Sequence, residues 1–377
     1  MPKKSKTEII TLAKPHTILK FQIIEKYVEG WARKILGFIA KQKIIGSKGL
    51  VFIDCMCNSG LYYDEQGALV EGTALRVARL LDTIIQDYPE QTAILLFNDI
   101  EKERVERLEQ EIEKLNLTHI TVSYDNRDCN VFLKGIDRSV YQNHNTLLLY
   151  DPYHAAIDWD AVDPFLNRWG EVIINHMVSD TPRGAAQAQK PEVIERYAET
   201  YQKDIAAIIQ IGSDKAKLNQ IILDIISQRT TRPYQQYIAS FPFFSRSNGL
   251  LYNLIFCTFS IEGIKLFKEK CWKTFGDKSS SKNTHGQESQ YMLCGAEGEL
   301  FQTDEDCYYI HDIAQYIFKK YHQRGEVLLT ELYDDLDQHP VFPSDGYKNE
   351  IKAKLKEMYG VSFTRGTGMV IFERNDS

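Results

Sequence analysis

Apolar residues recur at steps of three and four between positions 16 and 43, which predicts an amphipathic helix near the start of the chain. Beyond this helix, short apolar runs alternate with amphipathic or charged segments. The runs predict buried strands at Leu50–Asp54, Ala93–Phe97, Ile120–Tyr124, Thr146–Tyr150 and Glu171–His176, and the segments between them predict helices at Thr73–Ile85 and Glu101–Leu115. This alternation predicts an α/β fold with a parallel, doubly wound sheet and right-handed crossovers.

The alternation ends near residue 180. Residues 184–229 have helical periodicity throughout and are longer than one crossover requires, so we expect an inserted helical subdomain. Two apolar runs follow, at Gln235–Phe244 and Leu250–Ser260, and the segment between them ends in Asn248-Gly249, a hairpin-turn pair. A parallel sheet that finishes in an antiparallel hairpin is typical of the Rossmann-like class I methyltransferase fold and favours that fold over the dehydrogenases.

The tail of the chain has a different pattern. Residues 277–290 are polar and serine-rich, and they predict a linker or loop. Three helices are then expected at 305–321, 327–338 and 345–359, followed by two short strands at 361–364 and 369–373. This order is typical of a winged helix. The predicted parts are an N-terminal helical segment (1–45), a methyltransferase-like domain (46–276), a linker (277–295) and a winged-helix-like domain (296–377).

The third tail helix is rich in lysine. It carries Lys348, Lys352, Lys354 and Lys356 against Glu350 and Glu357, and Arg365 follows on the predicted wing. In a winged helix this position contacts nucleic acid, so a nucleic-acid partner is one interpretation. The other is a solvated charged face on a protein–protein module, which the overall acidity of the chain favours.

Composition excludes several classes of protein. The 377 residues are 43% apolar and 26% charged, with a net charge of −7, so charge alone indicates no nucleic-acid partner. No apolar run approaches the ~18 residues of a membrane span, and no apolar segment follows the basic start MPKKSK. The seven cysteines are scattered and odd in number, which favours a reducing compartment. We therefore expect a cytoplasmic protein without a membrane partner.

The loop after the first buried strand is the first candidate site. Asp54 ends the strand, and the sequence continues Cys55-Met56-Cys57-Asn58-Ser59-Gly60. In a doubly wound sheet, ligands bind beyond the carboxyl ends of the central strands, and glycine allows the backbone to approach them. We expect Asp54, Cys55, Cys57, Asn58 and Gly60 to line the methionine end of a cofactor pocket. An ordinary strand-to-loop turn is the alternative, and Cys-x-Cys without a second pair predicts no metal site.

Two further aspartates follow predicted strands. Asp99 ends the second strand, where a carboxylate accepts hydrogen bonds from both ribose hydroxyls of a nucleoside. Asp128 follows the third strand, where its carboxylate is placed to accept a hydrogen bond from the amino group of an adenine. For each residue the alternative is a helix N-cap, which Asp serves well.

Asp151-Pro152-Tyr153-His154 follows the fourth strand. Amino-group methyltransferases commonly place Asp/Asn-Pro-Pro-Tyr/Phe here. A carboxylate and a backbone carbonyl hold the amine in line with the methyl donor, Pro fixes the backbone, and the aromatic ring stacks on a flat acceptor. The alternative is an Asp-Pro turn with a packed tyrosine. His154 and His176, also near strand ends, are candidates for a general base or for structural roles.

In these motifs the chain resembles the three-Cys-motif partner protein family. The resemblance covers most of the chain, to about residue 275, and its motifs occur in the family's order. It implies a methyltransferase-like fold that binds S-adenosylmethionine, and a partner protein that is radical-S-adenosylmethionine-like and bears three cysteines. The matching segments are Pro15–Leu19, Lys26–Trp31, Asp54–Gly60, Gly72–Leu75, Arg127–Asn130, Asp151–His154 and Phe256–Thr258, with Trp272 in the helix that follows.

Two hypotheses remain open on the sequence. In the first, the protein transfers methyl from S-adenosylmethionine to an amine, with Asp151, Pro152 and Tyr153 positioning the acceptor; a nucleic-acid base is one candidate acceptor. In the second, it is a non-catalytic module that binds a nucleotide or a partner. Family glycines are replaced by Cys55, Asn58 and His154, which favours the second. A pocket blocked by these side chains would support the second hypothesis, and an open pocket flanked by Asp99 and Asp128 would support the first.

Overall fold

The computed structural model describes residues 9–44, 46–137, 141–283, 306–364, 366 and 368–372. By contacts the chain divides into two compact units. The first runs to Ile238 and includes Tyr252–Phe259; the second comprises Ala239–Leu251 and the residues from Ser260 onward. The bounds of the predicted functional domains stay a prediction.

A mostly parallel sheet forms the centre of the first unit. Its strands in this unit are β2 (Gly49–Asp54), β5 (Thr92–Asn98), β6 (Thr121–Asp125), β7 (His144–Tyr150), β8 (Gly170–His176) and most of β10 (Leu250–Thr258). The strand order ends with β9 (Tyr237–Phe244), most of whose residues are counted in the second unit. The order is β6-β5-β2-β7-β8-β10-β9, with parallel pairing from β6 to β8. β10 runs antiparallel to β8, and β9, the other strand of the predicted hairpin, is its neighbour on the opposite side. Every residue of β2 is buried, which explains its unbroken apolar run.

Helices connect these strands. α1 (Pro15–Ala40), α2 (Thr73–Ile85), α3 (Lys102–Glu113), α4 (Cys129–Gly135) and α5 (Trp159–Pro164) alternate with them, and α5 continues as a π-helical turn (Phe165–Trp169). Amphipathic periodicity explains the packing, because α1 buries an apolar stripe that includes Phe21, Ile24 and Leu36. The predicted helical insertion consists of α6 (Thr181–Ala186), α7 (Pro191–Tyr201), α8 (Ile205–Ile211) and α9 (Lys215–Gln228).

A small sheet that was not predicted lies in the same unit. It pairs β1 (Thr11–Leu12), β3 (Leu61–Tyr63) and β4 (Leu69–Glu71) in the order β1-β3-β4. Strands of two or three residues contain too few positions to show a two-residue period, so the sequence pattern does not reveal them.

The second unit contains α10 (Ile261–Phe275), α11 (Ile310–Tyr321), β11 (Glu326–Leu328), α12 (Leu329–Gln338), α13 (Lys348–Tyr359), β12 (Ser362–Phe363) and β13 (Met369–Ile371). Its three short strands pair antiparallel in the order β11-β13-β12. The three predicted tail helices and the two predicted strands are all present, and β11 was missed. The predicted linker lies largely outside the described residues, as does Arg365. Among the helices that the structure describes, none combines the length and apolar composition needed to cross a membrane.

Candidate active site

The loop after β2 is held in a tight conformation. Asn58 N donates to Asp99 Oδ2 over 3.0 Å, which ties the loop to the end of β5. Asn58 has a φ of 56° and Gly60 a φ of 75°, a left-handed backbone that Asn and Gly tolerate best. A Cβ at position 60 would lie 2.6 Å from Leu108 Cδ1, so a larger residue there would displace α3 side chains. The predicted tight loop is therefore present with Cys55 and Asn58 in it, and it keeps Gly60.

A buried asparagine that sequence reasoning missed joins three segments. The Asn98 side chain donates from Nδ2 to Cys55 O and to Arg127 O, and its Oδ1 accepts from Arg127 N, each over 3.0 Å. Its backbone oxygen accepts from Cys57 N over 2.9 Å. Asn98 thus fixes the loops after β2 and β6 to the end of β5. A polar residue at the end of an apolar run is the sequence feature that could have found it.

Asp99 is buried, with 2% of its surface exposed. Its two carboxylate oxygens accept from Asn58 N and from Glu101 N, each over 3.0 Å. Burial raises the pKa of Asp99, while these hydrogen bonds and Arg104 oppose the increase. The N-cap of α3 is Glu101, so Asp99 does not have the capping role that was its alternative.

Asp128 does have its alternative role. Its Oδ1 accepts from Asn130 N over 2.9 Å and from Val131 N over 3.3 Å, as the N-cap of α4. Capping occupies one carboxylate oxygen and leaves the residue at the carboxyl end of β6, where the cofactor role was predicted.

Asp54 and Asp151 lie at the ends of the neighbouring strands β2 and β7. Burial, followed by the charge of Asp151, raises the pKa of Asp54 from 3.8 to about 8, so its carboxyl is largely protonated at neutral pH. The carboxylate of Asp151 accepts from Lys20 Nζ on one oxygen and from Asn175 Nδ2 on the other. Neighbouring groups on α1 and β8 therefore already hold the carboxylate that was predicted to position an amine.

The Tyr153 hydroxyl is anchored, although the residue as a whole is 57% exposed. It accepts from Asn58 Nδ2 over 2.9 Å and from Arg104 Nη1 over 3.2 Å. Burial of the hydroxyl raises the pKa of Tyr153 to about 12, so the group is neutral at physiological pH. The exposed ring remains available to a ligand, and the Asn58 side chain is turned towards this hydroxyl.

A cavity of about 470 Å³ lies at the carboxyl ends of these strands, a volume in the range of small-molecule sites. One end is lined by Asp99 and Asp128 after β5 and β6, and the other by Tyr153 and His154 after β7. Of the predicted site residues, the structure places Cys55, Asp99, Asp128, Pro152 and Tyr153 in the cavity wall, and it places Asp54, Cys57, Asn58, Gly60 and Asp151 outside the wall.

Other wall residues were not predicted. Ile100 is a large apolar side chain, 65% exposed, directly after Asp99. Arg196 and Glu199 come from α7 in the helical insertion. Sequence reasoning found that insertion but had no means of telling which of its faces borders the strand ends. Further wall residues that were missed are Met56, Cys129, Asn130, Ala156, Ile157 and Asp158.

The two candidate histidines differ. His176 is 1% exposed, bonds Tyr201 and Asn219, and burial lowers its pKa to about 4, so it has the structural role. The side chain of His154 is 58% exposed, borders the cavity, and its Nδ1 lies 3.4 Å from Asp180 Oδ2.

Comparisons with known proteins add little to this geometry. No family model and no curated protein matches the chain. The chain is similar to the solved structure of WbdD, with 10% sequence identity and a TM-score of 0.32 over 64% of this chain and 34% of that one. It is similar to an rRNA methylase from Streptococcus thermophilus, with 10% identity and a TM-score of 0.28 over 60% of this chain and 93% of that one. It is also similar to precorrin-6y C5,15-methyltransferase from Geobacter metallireducens, with 10% identity and a TM-score of 0.26 over 60% of this chain and 86% of that one. The chain thus spans about a third of the length of WbdD.

The fold assignment rests on strand order. Counted along the main sheet, strands β6-β5-β2-β7-β8 are in the order 3-2-1-4-5 of doubly wound nucleotide-binding sheets. The next strand, β10, is antiparallel, where the Rossmann order would continue in parallel. The main sheet therefore has the methyltransferase-like arrangement. The cavity lies at the carboxyl ends of its strands, where such sheets bind ligands.

Proposed function

We propose that the protein is an S-adenosylmethionine-dependent methyltransferase. The observation that carries the proposal is the open cavity, which has Asp99 and Asp128 at one end and the Asp-Pro-Tyr loop at the other. This is the outcome that favours catalysis over a non-catalytic module. Cys55 and His154 do border the cavity, but they leave a volume of about 470 Å³ between its walls.

The wall residues suit the cofactor. Asp99 has spare lone pairs for ribose hydroxyls, and Asp128 and Asn130 offer polar groups to an adenine edge. The exposed Ile100 provides an apolar surface for the adenine ring. S-adenosylmethionine, when bound, would supply an electrophilic methyl group. Asp54, Cys57, Asn58 and Gly60 would support the wall of its site from behind.

The acceptor class is proposed to be an amino group, as the Asp-Pro-Tyr motif implies. Pro152 and Tyr153 would contact it directly, since both line the cavity. Asp151 would act by orienting the loop, because Lys20 and Asn175 hold both of its oxygens. Membership of the three-Cys-motif partner family, with a radical-S-adenosylmethionine-like partner, is part of this proposal. A cytoplasmic location is also proposed, supported by the free thiols of Cys55, Cys57, Cys129, Cys257 and Cys271.

Calorimetric titration with S-adenosylmethionine and S-adenosylhomocysteine tests the cofactor site. We expect micromolar binding, about −8 kcal/mol, that is lost in Asp99→Ala. Asp64→Ala is a matched control, since Asp64 also accepts two backbone N–H groups but lies outside the cavity wall. Failure of the folded wild-type protein to bind either ligand would contradict the proposal and favour the non-catalytic module.

A second candidate function concerns the second unit, which we propose is a winged helix that binds nucleic acid. Lys352 and Lys356 on α13 lie 5.8 and 5.7 Å from the ring of Phe363 on β12. Neither lysine has an ion-pair partner among the described residues, whereas Lys348 and Lys354 pair with Asp345 and Glu357. Two unpaired cations beside an aromatic ring offer contacts to a phosphate backbone.

Fluorescence anisotropy with a labelled DNA duplex at low salt tests this second function. Lys352→Glu/Lys356→Glu should abolish binding, and Lys348→Glu/Lys354→Glu should weaken it less. Equal loss in both double variants would indicate a general charge effect and contradict a specific face.

A further inference from the structure

His154 belongs to a chain of three polar side chains at the acceptor end of the cavity. Its Nδ1 lies 3.4 Å from Asp180 Oδ2, and Tyr197 Oη donates to the same carboxylate over 3.1 Å. Burial, followed by Asp180, raises the pKa of Tyr197, so its hydroxyl remains protonated and continues to donate. Tyr197 on α7 thus holds the Asp180 carboxylate in place. A carboxylate that orients an imidazole must be fixed in this way.

An imidazole whose Nδ1–H faces a carboxylate has its lone pair on Nε2. His154 Nε2 has no hydrogen-bond partner among the described residues, and the side chain borders the cavity beside Tyr153. At 58% exposure the side chain can also pass a proton on to solvent. This combination of an orienting carboxylate, a free nitrogen and a ligand cavity is the arrangement of a general base.

We propose that His154 is the general base of the reaction and that the acceptor is an aliphatic amine, which reaches the site as an ammonium ion. This rests on the proposed function. Proton transfer from the ammonium nitrogen to His154 Nε2 frees the lone pair. An N–C bond to the methyl group then forms as the S–C bond breaks, which leaves a methylated ammonium product and S-adenosylhomocysteine.

The charges around His154 favour this acceptor over a phenol or an aromatic amine. From α7, Glu199 reaches the wall with no ion-pair partner among the described residues, and it is placed to attract a cation. Asp158 borders the same wall, where its carboxylate is paired with Lys134. Arg196 is the opposing cation, and its guanidinium lies over the Tyr197 ring at 5.4 Å. A phenolate would approach the unpaired carboxylate of Glu199, whereas an ammonium gains from that carboxylate and from the ring of Tyr153, a residue that is 57% exposed.

The test compares three acceptors: Nα-acetyl-lysinamide, adenosine and catechol. Formation of S-adenosylhomocysteine is followed by chromatography, and acceptor binding by calorimetry in the presence of S-adenosylhomocysteine. We expect turnover with Nα-acetyl-lysinamide. His154→Gln should lower kcat by roughly 100-fold with acceptor binding unchanged, and added imidazole should restore part of the turnover of His154→Ala. Glu199→Gln should instead weaken acceptor binding by roughly fivefold, with a smaller effect on kcat than His154→Gln.

His119→Gln is the matched control. His119 is also half exposed and pairs with an aspartate, since its Nδ1 lies 3.6 Å from Asp82 Oδ2. It lies before the amino-terminal end of β6, whereas the cavity lies at the carboxyl ends of the strands. The His119→Gln variant should leave both kcat and acceptor binding unchanged. Turnover of catechol or adenosine alone, no turnover of any acceptor by protein that binds S-adenosylmethionine, or full activity in His154→Gln would overturn the inference. Absence of cofactor binding would instead contradict the proposed function itself.

Discussion

Lys20 on the N-terminal helix forms an ion pair with Asp151, 131 positions further along the chain. The Lys20 side chain is 8% exposed and that of Asp151 is 23% exposed. The same ammonium lies 5.4 Å from the ring centroid of Tyr252. Helix α1 therefore fixes the loop that carries Pro152 and Tyr153, and the stability of that loop depends on a residue far away in sequence.

Replacing Lys20 should reveal this dependence. Lys20→Met leaves the Asp151 carboxylate without its cation, and we expect a loss of about 3 kcal/mol in the free energy of unfolding. The double variant Lys20→Met/Asp151→Asn leaves no unpaired charge and should lose less than the sum of the single variants. Urea denaturation at pH 7 measures all three. Additive losses would show that the two residues do not interact, and Lys102→Met, 74% exposed, should cost little.

Local pattern predicted much of the first unit. α2 was predicted at its observed bounds, because Gly72 begins an unbroken amphipathic period. The central strands were found within two residues of their ends, since a run buried on both faces admits few polar residues. The insertion was predicted as helical throughout, and the structure divides it at residues such as Gly212, whose φ of 62° ends α8.

The site was less predictable, for a physical reason. Strand order places Asp99, Asp128 and Tyr153 at one edge of the sheet, so their approximate proximity follows from the fold. The direction of each side chain depends on long-range partners instead. Asp151 turns to Lys20 and Asn175, and no local pattern encodes that choice.

Glu171 should make stability depend on pH. It is buried, with 8% of its surface exposed, between the hydroxyls of Tyr27 and Thr258, which donate to it, and burial raises its pKa from 4.5 to about 7. The folded protein therefore binds more protons than the unfolded chain within this window, and the free energy of unfolding falls as the pH rises through it. At pH 8 the free energy of unfolding should be about 3 kcal/mol lower than below pH 4.5, where Glu171 is protonated in both states.

Glu171→Gln removes this titration. Relative to wild type, the variant should gain stability between pH 5 and pH 8 in urea denaturation. The pKa of Asp54, also raised, to about 8, leaves a second decline with pH in both proteins. The prediction is wrong if the wild-type and variant stabilities change in parallel across the window.

Gly184 permits the close approach of Tyr197 to Asp180. A Cβ at position 184 would lie 1.9 Å from Tyr197 Oη, so Gly184→Ala must displace the hydroxyl that donates to Asp180. We expect a loss of about 1–3 kcal/mol in thermal or urea unfolding. Gly37→Ala is the control. Gly37 lies inside α1, and a Cβ there would lie 3.7 Å from Tyr88 Oη, an ordinary contact distance. This variant should raise the free energy of unfolding by about 0.5–1 kcal/mol.

The severe clash at position 184 is with the Tyr197 hydroxyl, since the next nearest atom, Tyr197 Cζ, would lie 3.0 Å away, and this allows a sharper test. Gly184→Ala combined with Tyr197→Phe removes the hydroxyl that would be struck. The double variant should then be more stable than Gly184→Ala alone. If it is not, the helix backbone rather than the tyrosine opposes the substitution.

Lys268 stabilises the second unit from a fully buried position. Its ammonium donates to the backbone oxygens of Leu336, Asp337 and His339 over 2.6, 2.9 and 2.8 Å, at the C-terminal end of α12. Burial lowers its pKa to about 7, so the charged form, with one proton for each carbonyl, prevails in acid. Lys268→Met removes all three of these hydrogen bonds, although Leu336 O keeps a second donor in His339 N over 3.1 Å, and we expect a cost of about 3 kcal/mol at pH 6.

Hydrogen exchange followed by mass spectrometry locates that cost. In Lys268→Met, peptides that cover α12 should exchange faster by roughly 100-fold, which corresponds to about 3 kcal/mol, while peptides from β2 and β5 should keep their protection. Lys270→Met is the control on the same helix, since its ammonium contacts only the neighbouring Glu269 among the described residues. Unchanged exchange in α12 would show that water replaces the lysine at these carbonyls. The hydrogen bonds from Lys268 would then contribute nothing to the stability of the unit.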